Sequence, residues 1–60
     1  MDDHVDYWEL GFALHKTEPD LILAKVWWRA GELSQRQEDQ FNFVSGYSTA
    51  RRQKDEHENE

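Results

Sequence analysis

The chain has no cysteine, a single proline, three isolated glycines, no excess of basic residues and no long hydrophobic run. Each shortage excludes something. Without cysteine there is no disulfide and no thiolate metal site. A bilayer span needs about 20 apolar residues, and a stretch such as Val26-Trp27-Trp28 is far short of that. The start of the chain is acidic and lacks an apolar core, so no signal peptide is expected and the cytoplasm is the expected location. Gly11, Gly31 and Gly46 stand singly, which excludes a glycine-rich phosphate loop. His4, His15 and His57 are not at metal-ligand spacing to one another. His15, beside Lys16, is expected as an exposed helix-end residue. A formal charge of −6 argues against a duplex-wrapping DNA binder, which needs a basic face to neutralise phosphates.

Aromatic residues are what the chain has in quantity: Tyr7, Trp8, Phe12, Trp27, Trp28, Phe41, Phe43 and Tyr47. Sixty residues make one domain at most, and a chain this short buries only about 60% of the surface its unfolded form exposes. Large rings suit so small a core. They also favour interfaces, where Trp and Tyr are enriched.

The pattern predicts an all-α fold, either a three-helix bundle or a helix hairpin plus a third helix. A single domain would cover 1–53, followed by a disordered acidic tail over 54–60. The first helix is expected from Asp3 to Lys16, with Asp2, Asp3 and Asp6 at its positive end and His15 and Lys16 at its negative end. On a helical wheel Val5, Trp8 and Phe12 form one apolar flank and Tyr7, Leu10 and Leu14 the other. Gly11 lies between them, a placement that suggests close approach of another backbone. Thr17 and Asp20 have capping-box spacing and Pro19 suits a first helical turn, so a second helix is expected from Glu18 to Ala30. Its apolar residues cover nearly every side, which makes it the expected central, most buried helix. Gly31 is expected as a C-terminal residue with positive φ, and Ser34 with Gln37 as another capping box. The third helix is expected from Gln35 to Gln53, with Phe43, Val44, Tyr47 and Ala50 as its stripe and Phe41 on the flank.

Tyr7, Leu10, Gly11 and Leu14, then Trp27 and Ala30, resemble a tetratricopeptide-type helix pair in type and spacing. The small residue expected before Trp27 falls on Leu23, one short of Ala24, and the closing proline falls on Gln35. A second resemblance is narrower. Leu23-Ala24, Trp28-Arg29-Ala30, Gln40, Phe43 and the basic segment after them are similar to small bacterial regulators of the ANR and PerC types. That likeness implies action on transcription, for the ANR type through contact with a larger activator protein. The glycine expected before the second helix is Pro19 here, and the cysteine usual near the end is absent. A third likeness, to the Hha and YmoA modulators, is carried by Asp6-Tyr7, Thr17 with Leu21, and Glu32-Leu33-Ser34 followed by Phe41.

No catalytic constellation is read from the residues, and neither an enzyme nor a cofactor is expected. Trp27 and Trp28 point about 100° apart on a helix, so both are covered only if neighbours stand on two sides. Trp27 is expected in the core and Trp28 either at the core edge or at an interface. Leu21, Lys25, Trp28 and Arg29 are the expected partner-binding residues of an interaction module. Its partner would be a protein, such as a transcription regulator, or a second copy. Two alternatives stand beside it. In one, Arg36, Arg51, Arg52 and Lys54 approach nucleic-acid phosphates; in the other, acidic residues mimic DNA.

Overall fold

A computed structural model describes the backbone of residues 5–58 and the side chains of residues 5–54. It is all-α: three helices, α1 (Tyr7–Thr17), α2 (Leu23–Leu33) and α3 (Gln37–Glu58), and no strand among the described residues. No helix of these is long and apolar enough to cross a membrane.

The first helix starts later than its acidic residues suggest, because Asp6 is its N-cap: the carboxylate accepts the Glu9 N–H at 3.2 Å. The preceding aspartates fall outside the described residues. At its other end the Glu18 N–H reaches the Leu14 carbonyl at 2.8 Å and the Thr17 hydroxyl donates to that same oxygen.

The second helix begins at Leu23 rather than Glu18. Pro19 and Asp20 form a turn instead of a first helical turn. The reason lies far along the chain. The Tyr47 hydroxyl donates to the Glu18 carbonyl at 2.5 Å and accepts the Leu21 N–H at 3.0 Å. These bonds satisfy the Glu18 carbonyl and the Leu21 N–H without helix formation. The helix then runs through Gly31 with no positive φ and ends at Leu33, where Ser34 adopts an extended backbone. Gly31 is therefore not the terminator; Ser34 is. Its hydroxyl donates to the Asp39 carboxylate at 2.8 Å and accepts the Arg36 N–H at 3.2 Å, while the Gln40 side chain donates to its carbonyl at 2.9 Å. These bonds replace the expected pairing of Ser34 with Gln37 and delay the third helix to Gln37. α3 continues to Glu58, past the expected end at Gln53. Beyond Lys54 the expected tail lies outside the residues whose side chains are described.

The centre of the molecule is α3, not α2. Both other helices lie on α3, and no Cα of α1 comes within 8 Å of α2. The helices of the pair suggested by the tetratricopeptide-like spacing, α1 and α2, therefore do not cross each other closely; each packs on α3 instead. The core consists of Val26 and Ala30 from α2 and Phe43, Val44, Tyr47 and Ala50 from α3, edged by Tyr7, Leu14 and Leu21. The four α3 residues follow helical spacing and serve two neighbours at once, whereas α2 buries only two residues.

The α1–α3 crossing is built on glycine, as the position of Gly11 suggests. A Cβ on Gly11 would overlap the Phe43 carbonyl, and a Cβ on Gly46 would overlap the Trp8 carbonyl. The Tyr47 and Phe12 backbone nitrogens would each stand 3.1 Å away from the added atom. The Cα hydrogens in those directions face the carbonyls, a weak hydrogen-bond geometry common at close helix crossings. The two halves match: Trp8, Gly11 and Phe12 have the spacing of Phe43, Gly46 and Tyr47, and each trio meets the other in the same way.

Candidate interaction surface

Two core residues, Val26 and Ala30, decide which way α2 faces. Trp28 lies about 200° around the helix from each of them, so its indole points straight away from the core and is 60% exposed. Lys25, Arg29 and Glu32 occupy one flank of Trp28 and are exposed. The opposite flank carries the small residues Ala24 and Gly31, exposed as well. Among the described residues nothing crowds Gly31: an added Cβ would find only the end of the Gln40 side chain, 3.9 Å away.

Of the four residues expected to bind a partner, Lys25, Trp28 and Arg29 therefore share one exposed side of α2. Leu21 does not join them. It precedes the helix, donates its N–H to Tyr47 and packs against the core. Arg29 is already engaged at 3.4 Å with the Glu18 carboxylate. Both side chains are close to half exposed, so this ion pair is worth at most about 1 kcal/mol.

Trp27 departs from its expected place in the core. It is 40% exposed and, with Phe41, Val44, Thr49 and Arg52, lines a groove of about 260 Å³ between α2 and α3. Phe41 is 62% exposed; its flank position marks it as marginal to the α3 stripe, and it is an apolar surface residue that the expected site omitted. A second groove, about 470 Å³, runs between α1 and α2, with Leu10, Leu14 and Leu33 on its walls and Phe43 at its base. No local pattern marks it, because it exists only where two helices share α3 without close approach of their own backbones.

His15 also departs from expectation. It is buried, 7% exposed, and meets the Tyr47 ring edge-on with 5.2 Å between centroids. Its Nε2 has no hydrogen-bond partner among the described residues. Lys16 instead turns outward, its ammonium 5.9 Å from the centre of the Phe12 ring, which stacks on Trp8. His4 and His57 lie outside the residues with described side chains, and no group of three or more metal-ligating side chains gathers among the described ones.

The basic residues do not form one patch. Arg36 precedes α3 and Arg51, Arg52 and Lys54 lie near its far end, a separation of about 22 Å along the helix axis. Comparison of the chain with family models, curated proteins and solved structures finds no match.

Proposed function

We propose that the chain is a small interaction module that docks a protein partner on the outer face of α2, with Trp28 as anchor and Lys25 and Arg29 at the rim. One observation carries this reading: the largest side-chain type is held 60% exposed on the side of α2 opposite the core. Exposed Trp flanked by charged residues is the composition of an interface centre with a polar edge. Ile22, Leu23 and Phe41 are exposed as well, but off this face, so Trp28 is its apolar centre. The likeness of Leu23-Ala24 and Trp28-Arg29-Ala30 to the ANR and PerC regulators supports a transcription regulator as the partner.

The test is Trp28→Ala. Because the indole contributes nothing to the core, the variant should keep its helical circular dichroism and its unfolding midpoint while losing the partner that the unaltered chain captures. A variant that unfolds would assign Trp28 to the fold. Retained capture would remove α2 from the binding surface, and a captured protein with no role in transcription would remove the regulator from the reading.

A further inference from the structure

We infer that the outer face of α2 takes a second copy of this chain, with the two α2 helices antiparallel across a two-fold axis close to Trp28. The inference rests on the reading of that face as a docking surface: the second copy covers it in the free protein, and a regulator would bind by displacing that copy.

Lys25 and Glu32 make the face complementary to itself, and the third charge on that flank, Arg29, which falls near the axis, is offset by its ion pair with Glu18. Lys25 and Glu32 lie on the same flank of Trp28, two helical turns apart, which is about 10.5 Å along the axis. They cannot reach each other, and among the described residues neither has a salt-bridge partner. An antiparallel two-fold axis brings this flank against the same flank of the second copy with its order reversed. Lys25 of each copy then meets Glu32 of the other, giving two identical ion pairs. The other flank, with Ala24 and Gly31, likewise meets itself, so that small residues stand opposite small residues. The room left there accommodates the two Trp28 indoles, which meet near the axis. A parallel pairing would instead set the charged flank against the small one and leave all four charges without partners. One patch that matches itself under a two-fold axis is the condition for an isologous dimer.

The magnitudes place the association at the weak end. An 11-residue helix offers a strip about 16 Å long and about 10 Å wide, well below the roughly 800 Å² per partner of a standard interface. The formal charge of −6 on each copy opposes association at low ionic strength. At physiological salt, charges more than about 8 Å apart are largely screened, whereas the Lys25–Glu32 contacts are not.

Sedimentation equilibrium of the full chain tests this, run from about 10 μM to 1 mM at physiological salt to suit a small interface. A monomer–dimer equilibrium is expected. K25E and E32K alone should each weaken it by about tenfold or more, since each sets like charges together at both contacts. An equimolar mixture of the two variants should associate again, because the mixed pair restores opposite charges at both. A chain that stays monomeric throughout overturns the second copy as occupant and leaves the face to a different protein. A dimer indifferent to the charge variants, or not rescued by mixing, overturns the antiparallel α2 pairing. If W28A keeps its helicity and dimerises as the unaltered chain does, the copies meet away from α2 and the second copy is overturned as its occupant, while the proposed function is decided by the capture test.

Discussion

Tyr47 connects more of the molecule than any other side chain. Its ring is fully buried in the core, and its hydroxyl ties down the backbone of the α1–α2 connection at Glu18 and Leu21. His15 packs edge-on against the same ring. This contact explains why a polar residue in the last turn of α1 is buried rather than solvated: the helix face that carries Gly11 into the crossing carries His15 onto Tyr47 one turn later. Tyr47→Phe keeps the ring and removes the hydroxyl. The Glu18 carbonyl and Leu21 N–H then lose their partner in a part-buried site, at a cost of about 1–3 kcal/mol. Urea unfolding should show that loss, and amide exchange at Leu21 should accelerate beyond what global destabilisation accounts for. An unchanged midpoint would mean that water replaces the hydroxyl without penalty.

At the scale of the elements, the two glycines at the crossing are equivalent. Alanine in a helix gains about 1 kcal/mol over glycine, so Gly11→Ala or Gly46→Ala on an exposed face would stabilise the chain. Here the added methyl meets a backbone carbonyl of the opposing helix, which cannot move aside without separating α1 from α3. The overpacking outweighs the propensity gain, and each variant should lose at least about 2 kcal/mol, read as a lower melting temperature. A neutral result at either glycine would show the crossing to be looser than described. The number of helices and the close approach at Gly11 were legible in the sequence, since both follow from local spacing. Gly46 was hidden because a glycine among Ser45, Ser48 and Thr49 reads as a propensity defect; the readable signal was the spacing it shares with Trp8, Gly11 and Phe12. The start of α2 was not legible because it depends on Tyr47, 29 residues from Glu18. Of the candidate surface, Lys25, Trp28 and Arg29 were legible as a group from their helical spacing. Leu21 was misplaced with the onset of the helix.

At the scale of the whole molecule, the assignment of the central helix reverses because apolar count and burial are different quantities. α2 is rich in large apolar residues, yet it has one neighbour and buries Val26 and Ala30 alone. α3 has fewer such residues but two neighbours, and it buries Phe43, Val44, Gly46, Tyr47 and Ala50. Local stability follows buried contacts rather than composition, so the three helices should not open together. The α1–α3 pair, locked at its glycines, forms the more stable unit, and α2 the less stable one, held by two residues, its hairpin turn and the Ser34 hydrogen bonds. Native-state hydrogen exchange should therefore show amides 26–33 opening with lower free energy than amides 43–50. Uniform protection across both would mean that α2 is held as firmly as the crossing. A helix bound in this way is also the one whose stability a docked partner would raise most. Occupation of the Trp28 face should close the gap, lifting protection of α2 toward that of α3 while leaving amides 43–50 nearly unchanged.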